Sequence, residues 1–487
     1  MNVDNSREQI ALERHSPPRL IIRNSQSRIL RTGNATVRRV SVFGLGYVGL
    51  ATALCLANKG HLVTGIDSDE RRVRQLDQGI APFFEPKIES YLKRAIDEEY
   101  FRVTNDSSSN AESDLAYVCV GTPTKHGGGI DLSFIESAAE DIGISLRKRE
   151  AYQLIVIKST VTPGTASNVV RPILERESGK TCPTGFGLCS NPEFLREGHA
   201  IQDTEVPDRI IIGSADMNAA TKLERFYSEY YGAGLAPVIM TRHENAELIK
   251  YANNAFLATK VSFINTIANI AERIPGADVT TVAKAIGLDK RIAPEFLRAG
   301  IGFGGSCLPK DLSALMAFGE EVGYNTRLLA EVQAVNREQI SKPITYLKHK
   351  LNTLKGKKIA ILGLAFKPET DDLREAPSIS IINDLVKEEA QVTVYDPRAE
   401  MIAKSIFGSQ IAYATSARES LRAANGAVLV TEWEEFTHLT PQDFLELMED
   451  PIVFDGRRLL EPGRMREAKL QFDAIGLGRE SFPVAKY

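Results

Sequence analysis

Residues 39–67 constrain what this chain can fold into more than any other stretch. Val40–Phe43 is a short run of strand-favouring residues. Gly44, Gly46 and Gly49 follow at G-x-G-x-x-G spacing, Leu50–Asn58 reads as a helix closed by Gly60, and His61–Ile66 is a second strand ending at Asp67. Strand, glycine turn, helix, strand and acid in this order are the parts of a dinucleotide site. Gly44 permits the tight turn, Gly46 lets backbone N–H groups approach a pyrophosphate, and Gly49 lets helix and strand pack closely. Tyr47 and Val48 stand where the helix presents its positive end. A carboxylate at Asp67 suits two free ribose hydroxyls, so NAD is expected rather than NADP, although Arg71 and Arg72 carry the sign that would serve a 2′-phosphate.

The pattern continues with strands expected at Leu115–Val120, Gln153–Ile157 and Phe186–Cys189, separated by helical stretches. This alternation argues for a parallel sheet covered by helices. From about Arg242 it changes. HENAELIKYANNAFLATKVSFINTIANIAERI lacks Gly and has Pro only beyond its end. Its apolar residues recur at three- and four-residue spacing (Ala246, Ile249, Ala252, Phe256), which predicts one long helix. More helix is expected to about Lys350. At Lys357 the first pattern returns: KKIAILGLAFKP, a helix over Ser380–Lys387, QVTVYDP, then strands at Ala427–Val430 and Pro451–Asp455. This is a second doubly wound α/β domain whose first turn keeps a single glycine, Gly363.

GFGGSCLPKD, residues 302–311, sets one thiol among three glycines. Gly302, Gly304 and Gly305 remove side chains around Ser306 and Cys307, and a helix is expected from Pro309. A thiolate at a helix N-terminus is an activated nucleophile, and Asp311 falls in the same first turn, able to hold a water or a lysine. A hydride acceptor and a thiol in one chain imply an aldehyde: the thiol adds to it, the adduct loses a hydride to become a thioester, and water releases an acid.

The five cysteines are odd in number and scattered, which does not read as a disulfide framework and fits a reducing cytoplasm. Cys182 and Cys189 have no second Cys/His pair beside them, so no metal is expected. The net charge of −4 gives no general case for nucleic acid, and no apolar run is long enough to span a membrane. Residues 1–37 are polar and arginine-rich, with Pro17-Pro18 in the middle. They read as a disordered extension, or as an arm that binds an anion or a partner.

GLGYVGL, VGTPT, KSTVTPGT, SNPEFLREGHAIQD, ELIKYANNAFLATKVSFINTIAN, GFGGSCLPKD, LGLAFKPETDDLREAP and FDGRR stand in one order from about Arg39 to Leu470. Together they resemble the UDP-glucose/GDP-mannose dehydrogenase family. The resemblance implies an α/β fold of two Rossmann-like doubly wound domains joined by a long central α-helix. It implies an NAD-binding domain at 38–235, a central helical domain with the cysteine loop at 236–345, and a UDP-binding domain at 346–487. It also implies a four-electron oxidation of a sugar's primary alcohol to a carboxylate with two NAD⁺ per substrate. UDP-glucose is the expected substrate and GDP-mannose the alternative, since GSCLPKD and DDLREAP also resemble the GDP-mannose branch.

Carried over by motif, Cys307 is the expected nucleophile and Asp311 its water-organising neighbour. Lys250 and Asn254, on one helix face, stabilise oxyanions, and Glu193 works with a bound water that Thr160 helps to hold. Glu197 lies near the nicotinamide, and Thr122, Arg72 and Arg374 also contact the cofactor. Arg298, Phe303, Gly304, Lys367 and Arg457 serve the nucleotide sugar. The central helix makes the subunit interface in the family, so a homodimer or higher homo-oligomer is expected. Two other readings are a two-electron hydroxy-acid dehydrogenase, which would not need Cys307, and an NAD-sensing protein without turnover.

Overall fold

The computed structural model of the chain describes residues 21–23 and 37–478. The rest of the N-terminal arm and the last residues of the expected C-terminal domain lie outside the described residues. The chain divides into two compact units. The first comprises Met1–Pro82, Lys87–Thr122 and Asp131–Lys250; the second comprises Phe83–Pro86, Pro123–Ile130 and Tyr251–Tyr487.

The first unit is built on a nine-stranded sheet. Its order runs Ile21–Arg23, Val238–Thr241, Ile210–Gly213, Phe186–Ser190, Gln153–Ile157, Leu115–Val118, Arg39–Phe43, Leu62–Ile66, Phe101–Thr104. The six strands from Arg39 to Ser190 are parallel and stand in the 3-2-1-4-5-6 order of a doubly wound sheet. The order reverses between Arg39–Phe43 and Leu115–Val118, so the crevice lies where Gly44 and Thr122 leave the sheet. The strand Ile21–Arg23, which the sequence pattern does not signal, adds antiparallel to Val238–Met240.

The second unit repeats the plan in six parallel strands. Ala412–Tyr413, Gln391–Tyr395, Lys358–Leu362, Gly426–Leu429, Ile452–Asp455 and Gln471–Ala474 again stand in 3-2-1-4-5-6 order. The two first turns match in detail. Gly44 (φ +84°) donates its N–H to Ile66 O at 2.8 Å, and Gly363 (φ +93°) donates to Tyr395 O at 2.8 Å. Asp67 then accepts the N–H of Leu45 at 2.7 Å, and Asp396 accepts that of Leu364 at 2.6 Å. In both units the acid that ends the second strand ties down the turn that follows the first. Both sheets are buried on their two faces, so their strands are continuous apolar runs, such as Val42–Phe43 and Ile359–Leu362.

The long helix spans His243–Ala271 and carries the chain from the first unit into the second. Val279–Gly287, Leu308–Glu321 and Arg327–Leu351 are the further helices before the second sheet. Among the described residues no helix is long and apolar enough to cross a membrane.

Candidate active site

The cofactor crevice of the first unit follows from its glycines. A side chain on Gly49 would place its Cβ 1.8 Å from Gly44 O, and one on Gly44 would lie 2.8 Å from Val120 Cα, so both positions are closed by the protein itself. At Gly46 nothing lies within 4 Å of the same point. Gly46 is also the N-cap of Tyr47–Ala57, a helix that starts on the turn itself with no side-chain cap and no acid in its first turn. Open space, uncapped N–H groups and a positive helix end suit a pyrophosphate, so the residues fit the expected dinucleotide. Thr122 is buried at the neighbouring strand end.

Asp67 already has partners within the protein. Its Oδ2 accepts from Leu45 N and, at 2.8 Å, from Arg72 Nη1, while Oδ1 accepts from Asp69 N at 2.9 Å. Arg72 is thus an ion-pair partner of the acid. The two residues that argued for opposite cofactors neutralise one another.

On the same unit, the long helix brings Lys250 against the loop that follows Phe186–Ser190. Lys250 Nζ lies 2.8 Å from Glu193 Oε1, with side chains 4% and 7% exposed. Burial pushes the Glu193 carboxyl up. The charge and hydrogen bond of Lys250, the Leu195 N–H and the Lys158 charge outweigh it and hold the group below its ordinary value. Thr160 and Lys250 line one small cleft with Ser159, Ser190, Pro192 and Glu247. Glu197 lies partly buried on the loop after Glu193.

Two residues here were not singled out by sequence. Lys158, at the end of Gln153–Ile157, donates to Asn191 Oδ1 at 3.2 Å, and burial pushes its ammonium below the ordinary range against the opposing charge of Glu193. Glu247 accepts from Gly164 N at 2.6 Å, Ala166 N at 3.0 Å and Ser190 Oγ at 3.1 Å. Its place on the face of Lys250, one turn earlier, is the signal that could have found it.

The cysteine loop belongs to the second unit. Cys307 is the N-cap of Leu308–Glu321, so the helix begins directly after the thiol, one residue before the expected Pro309. Ser306 Oγ lies 3.5 Å from its Sγ. Asp311 donates its N–H to Cys307 O at 2.9 Å, which fixes it one turn into the helix. Its buried carboxylate accepts from Asn254 Nδ2 and from Lys310 Nζ, each at 2.6 Å. Asn254, expected to face an oxyanion, here directs an amide hydrogen at Asp311.

The glycines of the loop are also required by the protein's own packing. A Cβ on Gly304 would meet Glu375 O at 2.2 Å, one on Gly305 the Phe366 ring at 2.7 Å, and one on Gly302 Asn336 Oδ1 at 2.8 Å. Gly302 and Gly305 also have φ of +99° and +85°. These glycines therefore admit the protein's own chain, and they hold the thiol by close packing. Phe303, buried in an apolar cluster, exchanges two hydrogen bonds with the Asn336 side chain, at 2.8 and 3.0 Å.

The expected nucleotide-sugar residues gather at the carboxyl edge of the second sheet. Arg457 donates Nε to Val430 O at 2.6 Å and Nη1 to Gly302 O at 2.9 Å, while its Nη2 is buried without a hydrogen-bond partner. Arg298 donates to Arg457 O at 3.2 Å, and Glu432 stands 3.4 Å from Arg457 and 3.9 Å from Arg298. Lys367 lies beside the Phe366 ring. Arg374 forms a forked pair with Asp372 at 2.9 and 2.6 Å, and its backbone carbonyl holds Gly305 N at 3.0 Å.

Comparison with known proteins accords with this arrangement. The chain is 40% identical over 441 residues to a UDP-glucose 6-dehydrogenase of Bacillus subtilis (strain 168), covering 90% of this chain and 93% of that protein. It is 40% identical over 422 residues to a UDP-glucose 6-dehydrogenase of Haloferax volcanii, covering 86% and 97%. A solved UDP-glucose dehydrogenase from Pyrobaculum islandicum superposes with a TM-score of 0.85 at 36% identity, covering 92% of this chain and all of that one. Three family models match in sequence order: the NAD binding domain over residues 38–231, the central domain over 244–338 and the UDP binding domain over 360–462. The chain belongs to the UDP-glucose/GDP-mannose dehydrogenase family.

Proposed function

We propose that this protein oxidises UDP-glucose to UDP-glucuronate in two steps of two electrons each, with the second step on a covalent adduct of Cys307. The observation that carries the proposal is a thiol at the start of a fourteen-residue helix, with a buried, doubly held carboxylate one turn along, in a chain that also has an NAD-binding unit. NAD⁺, bound at the glycine turn, supplies a hydride acceptor once for each step.

The chain's own residues then take these roles. Lys250, ion-paired with Glu193, faces the negative charge that develops on the sugar oxygen, and Asn254 supplies a second donor. The Cys307 thiolate adds to the aldehyde carbon, forming a C–S bond while the carbonyl oxygen takes a proton. Loss of hydride from that thiohemiacetal gives a thioester. Water, organised by Asp311 and by Glu193 with Thr160, attacks the thioester, breaks the C–S bond and returns the thiol. Arg298, Phe303, Gly304, Lys367 and Arg457 hold the nucleotide sugar, and the buried, unused Nη2 of Arg457 suits an acceptor oxygen of the diphosphate. Thr122, Glu197 and Arg374 serve the cofactor.

We also read the long helix as an interface between two copies of this chain. Phe256, Phe263 and Ile270 recur every seven residues on it and are 65%, 51% and 51% exposed. A nucleophilic thiol must stay reduced, which supports a cytoplasmic reading.

The test is the number of NADH formed per nucleotide sugar consumed, run in parallel on UDP-glucose and GDP-mannose. Two per UDP-glucose is expected. Two per GDP-mannose would keep the chemistry and change the substrate, and one per sugar would remove Cys307 from the mechanism.

A further inference from the structure

Glu247 is 3% exposed and stands on the long helix between His243 and Lys250, all three in the first unit. Their spacing of four and three residues puts them on one face. Each carboxylate oxygen of Glu247 accepts a backbone N–H: Oε2 from Gly164 at 2.6 Å and Oε1 from Ala166 at 3.0 Å. Oε1 also accepts from Ser190 Oγ at 3.1 Å, and Ser190 Oγ lies 2.9 Å from His243 Nδ1. Burial pushes the His243 pKa down to about 4 and the Glu247 carboxyl up to about 7, so above pH 7 the ring is neutral and the carboxyl ionised. One proton order satisfies the chain: His243 Nδ1–H donates to Ser190, and Ser190 donates to Glu247.

The segments joined here are those that carry the site. Gly164 and Ala166 follow Thr160 in the segment that leads into the helical run Ala166–Val170. Ser190 ends the strand that leads into Glu193, whose carboxylate holds Lys250 at 2.8 Å. Lys250 is the next residue but two along the helix from Glu247, and both line the cleft of Thr160. A helix cap alone would need one oxygen and one N–H; this carboxylate binds two backbone sites and a side chain from a second segment.

We propose that Glu247 is a positioning residue: by clamping the 160–166 turn and the end of the Phe186–Ser190 strand to the long helix, it sets Thr160, Glu193 and Lys250 relative to one another. The inference rests on the function proposed above. Misplacing a reacting group by about 1 Å costs on the order of 100-fold in rate, so the clamp acts on turnover without touching substrate.

Glu247→Gln tests it. Both oxygens accept an N–H, so the amide must turn its NH₂ toward one donor and lose that bond. At about pH 8.5, kcat with UDP-glucose is expected to fall about 10- to 100-fold. KM for NAD⁺ is expected to stay within about twofold, and amide exchange to accelerate in the 160–166 peptide only. A kcat within about threefold of the parent overturns the proposal. So does a loss of kcat with exchange raised across the whole first unit, which marks a purely structural role. Should that variant fail to fold, Ser190→Ala removes one donor and leaves the backbone clamp; a several-fold fall in kcat is expected, and an unchanged kcat overturns the proposal. Absence of turnover in the parent would refute the function instead, and the exchange measurement would still decide whether Glu247 fixes the turn.

Discussion

Lys250 and Glu193 form an ion pair at 2.8 Å that is almost sealed from water. Removing one member of such a pair leaves the other as an uncompensated buried charge, at a cost of about 3–5 kcal/mol. Glu193→Gln is therefore expected to destabilise the protein by that order and to lower activity together. Urea unfolding alongside steady-state kinetics checks both, and a variant as stable as the parent would show that the pair is hydrated in solution.

Lys250→Ala leaves Glu193 buried without its partner, so it carries a stability cost of the same order and tests the chemistry besides. If the ammonium faces a developing alkoxide, kcat should fall by about 10²–10³. Added ethylamine, which restores a cation to the space, should recover part of it. A loss below about threefold would move the oxyanion role to another residue.

Two glycines predict opposite outcomes. Gly46 has open space where a methyl would go, and Gly304 has Glu375 O at 2.2 Å. Gly46→Ala should leave the melting temperature unchanged and raise KM for NAD⁺, because the methyl occupies space reserved for the pyrophosphate. Gly304→Ala should cost about 1–3 kcal/mol through overpacking and reduce the yield of folded protein. Equal effects of the two on melting would refute the assignment of the open space to a ligand.

How far these positions were legible depends on whether their reason is local. Gly44, Gly49 and Asp67 answer to a turn and its two flanking strands, so sequence spacing finds them. The same logic found the second sheet from Gly363 onward. The packing demand on the cradle glycines has no local signal, because Glu375, Phe366 and Asn336 come from distant segments of the chain. Arg457 is reached through the FDGRR motif alone, and nothing local signals that it is buried on carbonyls of Val430 and Gly302. Glu247 reads as one more charge on an amphipathic helix, since its backbone donors lie more than eighty residues before it. The strand Ile21–Arg23 is only three residues long and shows no alternation to detect.

His243 gives a pH-dependent prediction. Its pKa is pushed down to about 4 by burial, while the unfolded value is about 6.5. Between these values the unfolded chain binds the extra proton, so stability rises with pH across the window. The contribution is complete above about pH 6.5, and is lost as pH falls toward 4. Compared with His243→Asn, the parent should gain up to about 3 kcal/mol of relative stability from pH 4 to 6.5, then no more. Urea unfolding at a series of pH values reads this directly, and a pH-independent difference would place the ring in contact with water.

The exposed face of the long helix bears on assembly. Phe256, Phe263 and Ile270 keep a seven-residue spacing, the repeat that presents one stripe to a facing helix. A soluble monomer rarely leaves such a stripe bare. Phe263→Asp places a charge at its centre, where pairing with a second copy would bury it unpaired. The variant should therefore shift toward monomer in sedimentation at micromolar concentration while its first unit still binds NAD⁺. If the mass is unchanged, the copies meet elsewhere; if the parent is itself monomeric, the stripe is covered by something other than a second copy of this chain.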